Sequence, residues 1–248
     1  MKEQIVRAAK AISASQKTGA LTGAGISVES GIPDFRSEDG LWSIYDPSEY
    51  ATISAFTQNP EKVWEMLKAM DELIAKTKPN KAHLGLGELE QMGLLDFIIT
   101  QNVDNLHQAG GSKNVIEYHG NSSSLTCLQC GRKYSADEKR DQYPPRCQCD
   151  SILKPDVVLF GEAIPPEALN GSFRRVSSID VLMVVGTSAI VSPANAIPDI
   201  AKQNGAKVIE INMEKTHLTN TITDIFIEGK AGEVIPGLVE TIRMMKAA

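Results

Sequence analysis

Long apolar runs are missing from this 248-residue chain, and so is any excess of basic charge. No stretch approaches the ~20 apolar residues of a membrane-spanning helix. Met1 to Lys10 carry charges throughout, without the apolar centre of a secretory leader. The sequence therefore points to a cytoplasmic protein with no membrane partner. Lysine and arginine number 25 against 31 acidic residues, for a net charge of −6. Direct DNA binding needs a basic face to displace counterions, so this balance argues against it. Cysteine is absent outside residues 127–149, which hold all four. Reduced cysteines clustered in this way suggest a metal before they suggest disulfides. Internal repeats and low-complexity runs are also absent.

What is present is ordinary for a globular protein, 42% apolar and 23% charged. The length suits one large domain carrying a smaller insertion. Ile5, Val6, Ala9 and Ile12 fall at helical spacing and predict a helix over 3–15. Thr18–Thr22 reads as a strand ending in Gly23. Asn59-Pro60-Glu61 opens a helix with Asn as cap and Pro in first position, and Val63, Leu67, Met70 and Ile74 continue it. Asn80 starts another through Leu84, Leu86 and Leu89, closed by Gly93. Strands are predicted at Leu94–Thr100, Val181–Val185, Val208–Ile211 and Ile225–Ile227, with helices at Ala194–Asn204 and Pro236–Met245. Strands alternating with helices imply an α/β, doubly wound, mostly parallel sheet. Residues 120–155 are polar and short of apolar periodicity, and read as an inserted module.

The glycine loop departs from the usual pattern. A strand, then Gly23-Ala24-Gly25, then a helix start is the geometry for pyrophosphate, whose charge the backbone N–H groups and helix N-terminus favour. Yet Val28 stands where the third glycine should be, and Leu41 to Asp46 offers no second strand with an acidic end. Nucleotide binding and a plain tight turn both remain open on these residues, and hydride transfer is the less favoured use. In Pro33-Asp34-Phe35-Arg36, Arg can reach a phosphate, Phe can shield a ring and Asp can orient a ribose; the bland alternative is a surface turn with one buried Phe. Gln101, Asn102 and Asp104 follow directly on a strand, where ligands bind in such sheets. Asp and Asn also cap helices there routinely. His119 can serve as a general base at neutral pH, although a lone His in a sequence is usually structural; His83 and His217 read as structural and His107 as locally packed.

Cys127-Leu-Gln-Cys130 is followed by sixteen residues and then Cys147-Gln-Cys149. Two close pairs at this separation have the spacing of a closed structural zinc site, with a redox pair or a distorted metal site as alternatives. The second pair is C-x-C, tighter than the usual C-x-x-C.

In order, Gly23-Ala-Gly-Ile-Ser27, Gly31-Ile-Pro-Asp-Phe-Arg36, Thr100-Gln-Asn-Val-Asp104, His119-Gly120, the paired cysteines, Lys154-Pro-Asp-Val-Val-Leu-Phe-Gly-Glu162, Gly186-Thr-Ser188 and Ile211-Asn212 resemble the sirtuin family of NAD-dependent protein-lysine deacylases. The resemblance covers nearly the whole chain. It implies a Rossmann-like NAD-binding domain (1–38, 79–119 and 157–248) and a smaller domain made of a helical insertion (39–78) and a zinc-binding module (120–156).

It also implies roles for particular residues. Gly23, Ala24, Gly25, Ser27, Ile32, Asp34, Phe35 and Arg36 would fold over NAD, with Arg36 near the phosphates and Phe35 shielding the nicotinamide side. Gln101, Asn102 and Asp104 would hold the ribose and carboxamide in a pose that favours loss of nicotinamide. Gly186, Thr187 and Ser188 would meet the adenosine half, with Asn212 and Ala231 near the adenine end. The acetyl oxygen would attack C1′ as nicotinamide leaves, giving an alkylimidate. His119 would then take a proton from a ribose hydroxyl, and water would complete release of lysine and O-acetyl-ADP-ribose.

Val158, Leu159, Phe160, Gly161 and Glu162 would pair with the backbone of an acetylated protein or peptide as an added strand, with Val191 on its other side. Phe35, Val103, His119, Val158 and Phe160 would line the acyl tunnel. Family members that prefer succinyl or malonyl groups carry a Tyr and an Arg three residues apart. Here those positions hold Leu67 and Met70, which implies neutral acyl groups. Zinc would sit on Cys127, Cys130, Cys147 and Cys149. A mono-ADP-ribosyltransferase on the same scaffold and an inactive zinc-ribbon scaffold are the competing classes.

Overall fold

Short apolar segments bounded by polar turns set the frame. Thr18–Thr22 and Val181–Val185 are buried at every position, as strands covered on both faces of a parallel sheet must be. The computed structural model describes every residue except Arg36, Asp39, Arg140 and Ala248. Its elements run α1 (Lys2–Ala14), β1 (Thr18–Thr22), α2 (Pro47–Tyr50), α3 (Ile53–Gln58), α4 (Pro60–Ile74), α5 (Lys81–Gln91), β2 (Phe97–Thr100), α6 (Leu106–Ala109), β3 (Val115–Glu117), β4 (Gly120–Thr126), β5 (Lys133–Ser135), β6 (Lys154–Val157), α7 (Pro166–Val176), β7 (Val181–Val185), α8 (Ala196–Gln203), β8 (Lys207–Asn212), β9 (Ile225–Glu228) and α9 (Ala231–Ala247).

Six strands form one sheet in the order β3-β2-β1-β7-β8-β9, every neighbouring pair parallel. Counted within that sheet, the order is the one that dinucleotide-binding folds use. The winding direction reverses between β1 and β7, so a crevice opens at their carboxyl ends. Alternate strand residues point to opposite faces. Ala20, Ile98, Met183 and Ile209 pack with α1, α5 and α9, while Leu21, Ile99, Leu182 and Val208 pack with α7 and α8. Burying each of the Leu, Ile, Val and Met side chains among these contributes about 1.5–3 kcal/mol.

A second, three-stranded antiparallel sheet has the order β5-β4-β6. Its apolar residues share one core with the helical segment: Leu125, Leu153, Cys127 and Cys147 meet Phe56, Val63, Trp64 and Leu67. The Trp64 indole N–H donates to the Leu153 carbonyl at 2.8 Å. Two segments far apart in sequence thus make one smaller unit beside the Rossmann-like sheet.

Several boundaries differ from the sequence reading. The last helix begins at Ala231, five residues before Pro236, which lies inside it. Proline has no N–H and so costs one helical hydrogen bond, but the buried stripe of Val234, Ile235, Leu238 and Val239 holds the helix through it. Leu84, expected on the buried face of α5, is exposed. The strands β3 to β6 carry little apolar periodicity and were not foreseen; α7 was missed as well, although Leu169, Phe173 and Val176 do fall at helical spacing on its core side. The cap at Asn80 is as expected, its side chain accepting from Ala82 N–H at 2.9 Å.

At the reversal point the loops after β1 and β7 touch through backbone. Gly25 N–H donates to the Gly186 carbonyl at 2.9 Å. Gly186 has φ +60, and a Cβ there would collide with the Ile26 nitrogen and lie 2.7 Å from the Gly25 carbonyl carbon. Gly186→Ala is expected to cost about 2–4 kcal/mol from left-handed strain plus overpacking. Thermal melts check this; a variant with wild-type Tm would contradict the reading.

Candidate functional site

The crevice is built by three loops that leave β1, β2 and β7. Gly23 N–H continues the sheet pairing to the Val185 carbonyl at 3.1 Å, which brings Gly23, Ala24 and Gly25 beside Gly186, Thr187 and Ser188. Gln101, just after β2, donates from Nε2 to Thr187 Oγ1 at 3.0 Å and so bridges the second loop to the last. Asn212, at the end of β8, donates to the Thr187 carbonyl at 3.2 Å. Ala231 opens α9 nearby. The next residue, Gly232, donates its N–H to Glu29 at 2.7 Å, fastening the glycine loop to that helix.

Behind the crevice lies a buried polar cluster with every donor assigned. Ser27 Oγ donates to Asp104 Oδ2 at 2.6 Å and accepts from Asn102 Nδ2 at 3.1 Å. Asp104 Oδ1 accepts the Leu106 N–H at 2.9 Å, so this aspartate also caps α6. Each of its oxygens already has a protein donor. Asn102 gives a second N–H to the Gly23 carbonyl at 3.2 Å, which leaves its own Oδ1 free of protein partners among the described residues. His83, read from sequence as structural, stands 3.5 Å from Ser27 Oγ. Its Nδ1 accepts the Asn80 N–H, so its proton is on Nε2. Burial pushes its pKa down to about 4, against the nearby Asp104 charge. His107 packs beside it and bonds Thr22 Oγ1 at 2.8 Å. Burial takes its pKa to about 3.

His119 is different. Its Nδ1 lies 3.0 Å from the Gln101 carbonyl, which can only accept, so Nδ1 carries the proton. Nε2 is then a lone-pair nitrogen with no protein partner among the described residues. Burial lowers the His119 pKa while the Gln101 bond raises it, with a net shift downward. The imidazole is therefore neutral at neutral pH and ready to accept a proton at Nε2.

Of the residues read as peptide- and acyl-binding, Val158 bonds this histidine directly. Val158 N–H donates to the His119 carbonyl at 2.8 Å. Phe35, Trp42 and Phe160 form an aromatic chain with centroid separations of 5.1 and 6.2 Å. Leu67 is buried and Met70 half-buried in the smaller core with Leu159. Ile32 is buried, and Val103 and Val191 are half-buried. Asp34 accepts the Ser37 N–H at 2.8 Å and closes a turn. Arg36, which the sequence reading placed near the phosphates, lies outside the described residues. Glu162 turns its carboxylate inward to Leu159 N–H and Lys154 rather than outward.

The four cysteines converge. Their sulfurs all lie within 4.8 Å of one another, with Cys127–Cys149, Cys130–Cys147 and Cys130–Cys149 at 3.6, 3.5 and 3.7 Å. A tetrahedron with Zn–S of about 2.3 Å has edges of about 3.8 Å, so the donor set fits zinc. The short second pair is accommodated by Asp150, which takes a left-handed φ of 69 and donates its N–H to the Cys147 carbonyl at 3.0 Å. Tyr134 OH accepts the Gln148 N–H and so points its own proton at Cys147 Sγ, 3.2 Å away.

The sequence profile of the Sir2 family matches residues 23–193, from the first glycine of the crevice to beyond its last loop. The chain belongs to the Sir2 family. An NAD-dependent protein deacylase of Pyrococcus furiosus is 50% identical over 241 residues, 94% of this chain and 96% of that one. A solved complex of a Sir2 homologue with NAD matches with TM-score 0.90 and 46% identity, covering 96% of this chain and 94% of that one. A Sir2 enzyme bound to a myristoylated histone peptide matches with TM-score 0.86 and 38% identity, covering 100% and 99%.

Sequence reasoning assigned no site role to Glu29 or His83, which the fold brings to the crevice. Glu29 looks like a surface charge, and only the Asn80-x-x-His83 capping spacing could have drawn attention to His83.

The two buried histidines predict a pH dependence of stability. The unfolded chain protonates them near pH 6.5, whereas the folded chain holds them neutral down to about 4 and about 3. Their contribution is thus complete above pH 6.5 and is lost as pH falls below it, by up to about 1.4 kcal/mol per pH unit each. Urea midpoints between pH 7.5 and 5 should fall, and less steeply in His107→Gln. A flat wild-type profile over that range would contradict the buried neutral assignment.

Proposed function

We propose that this Sir2 protein is an NAD-dependent protein-lysine deacylase that prefers neutral acyl groups and yields free lysine, nicotinamide and the O-acyl-ADP-ribose ester. The observation that carries the reading is His119: its Nδ1 proton is fixed on the Gln101 carbonyl at 3.0 Å, so the free Nε2 is the base. NAD supplies an electrophilic ribose carbon when its nicotinamide bond breaks.

The chain's own groups do the rest. Gly23, Ala24 and Gly25 present backbone to the pyrophosphate, with Arg36 assigned beside it. Thr187, Ser188, Asn212 and Ala231 receive the adenosine half. Asn102, held by Gly23 and Ser27, keeps its carbonyl oxygen for the ligand, and Asp104 orients Ser27. His119 Nε2 takes the proton of a ribose hydroxyl, whose oxygen then attacks the acyl carbon. Help of this kind is typically worth about 10²–10⁴-fold.

Leu67 and Met70 support the acyl preference. Both belong to an apolar core. A succinyl or malonyl carboxylate buried there without a cation would cost several kcal/mol. The relative crystallised with a myristoylated peptide supports including long chains. Cys127, Cys130, Cys147 and Cys149 would hold one zinc ion with no open position, so its role is to fix the smaller domain. We assign 1–38, 79–119 and 157–248 to the NAD-binding domain, with 39–78 and 120–156 forming the smaller one.

Mass spectrometry of acetyl-, myristoyl- and succinyl-lysine peptides, with and without NAD, tests this reading. Acetyl and myristoyl peptides should be deacylated only with NAD, giving the ADP-ribose ester, and His119→Ala should lower the rate by at least about 10²-fold. Leu67→Tyr with Met70→Arg should gain desuccinylation. Nicotinamide release without deacylation would move the case to ADP-ribosyl transfer, and no NAD turnover would sink the enzyme reading.

A further inference from the structure

The segment that follows β6 is held by a buried charge that the chemistry above does not use. Lys154 is only 5% exposed. A lysine in such a place must have all three N–H donors satisfied and its charge compensated. Its ammonium donates to the Pro155 carbonyl at 3.0 Å and the Val157 carbonyl at 2.7 Å, and meets Glu162 Oε2 at 2.9 Å. That same carboxylate oxygen accepts the Leu159 N–H at 2.7 Å. All four contacts lie within residues 154–162, so one ion pair folds this short segment upon itself.

The fold of the segment decides which backbone groups face outward. Glu162 N–H donates to the Leu159 carbonyl at 3.0 Å, and Gly161 has φ +86, the left-handed third position of a tight turn. Phe160, at the tip, is pinned on its other side: its N–H donates to the Ala51 carbonyl at 2.8 Å and its carbonyl accepts the Ile53 N–H at 3.0 Å. Val158 N–H is taken by the His119 carbonyl. The Val158 carbonyl and the Gly161 N–H have no hydrogen-bond partner among the described residues. These are one acceptor and one donor, on either side of a turn whose other groups are engaged, adjoining the catalytic histidine.

We propose that Lys154 is a positioning residue for the protein substrate: through Glu162 and the Val157 carbonyl it shapes the turn so that the Val158 carbonyl and Gly161 N–H receive the substrate backbone on either side of the acyl-lysine. The proposal rests on the deacylase reading. Lys154 touches neither NAD nor the reacting atoms. Removing it leaves the Glu162 carboxylate half-buried without its counter-charge, and the carboxylate turns to water and releases Leu159. The cost falls on peptide recognition, while the crevice built from the loops after β1, β2 and β7 is untouched.

Steady-state kinetics with an acetyl-lysine peptide, varying peptide and NAD separately, tests this in wild type, Lys154→Met, Lys154→Arg and Glu162→Gln. Peptide KM should rise about tenfold or more in Lys154→Met and less in Glu162→Gln, with NAD KM within about twofold of wild type. Lys154→Arg keeps the charge and should recover part of the loss. Fluorescence anisotropy of a labelled peptide reads the same loss in binding, and serves if Lys154→Met folds poorly and only the two milder variants can be compared. An active Lys154→Met or Glu162→Gln with unchanged peptide KM overturns the positioning role. Parallel rises in both KM values also overturn it, since they would mark a general loss of structure. A wild-type protein that binds the peptide but does not deacylate it with NAD sinks the deacylase reading and this inference with it.

Discussion

The hydrogen bond from Gly25 N–H to the Gly186 carbonyl, 2.9 Å long, joins the two halves of the sheet where their winding reverses. Backbone can approach backbone this closely only because neither residue has a side chain. Everything polar in the crevice is arranged around that junction. Gln101 reaches across it to Thr187, Asn102 bonds the carbonyl of Gly23, and Asn212 bonds the carbonyl of Thr187. The loops cannot drift apart without breaking several of these bonds together, so the backbone proposed to meet the pyrophosphate is set before any ligand arrives.

From this junction the structure builds two kinds of histidine on one scaffold. His83 and His107 are enclosed and held neutral by burial. His119 is half-buried, with one nitrogen fixed and the other free. The difference is one of address rather than chemistry. His119 sits where β3 gives way to β4, so it belongs at once to the edge of the large sheet and to the entrance of the small one. Its carbonyl receives Val158 N–H from the segment after β6, so the proposed base and the proposed peptide edge are mechanically joined.

Much of this was legible in the sequence. The strands β1 and β7 are continuous apolar runs of Thr18–Thr22 and Val181–Val185, and glycine or a polar loop marks the end of each. The four cysteines announced their cluster by spacing alone. What escaped has a common physical cause: its signal is tertiary. The strands β4 to β6 are polar and packed only on one side, so they show no alternation worth reading. The start of α9 was placed late because a proline inside a helix is tolerated when packing outweighs one lost bond. Asp104 was read as a ligand-facing group, and it also caps α6, a use that the sequence offered as the alternative. Glu29 looks like any surface charge until the fold supplies its partner across 203 positions.

Deacylation by this protein requires the crevice at the reversal point to seat NAD so that a ribose hydroxyl meets His119 Nε2. A crystal structure of the protein with NAD and an unreactive acyl-lysine peptide tests it most directly. The pyrophosphate should lie over Gly23–Gly25, the nicotinamide-side ribose within about 3 Å of Nε2, and the peptide on Val158 and Gly161. A ribose placed away from the imidazole, with Nε2 turned to solvent, would contradict it.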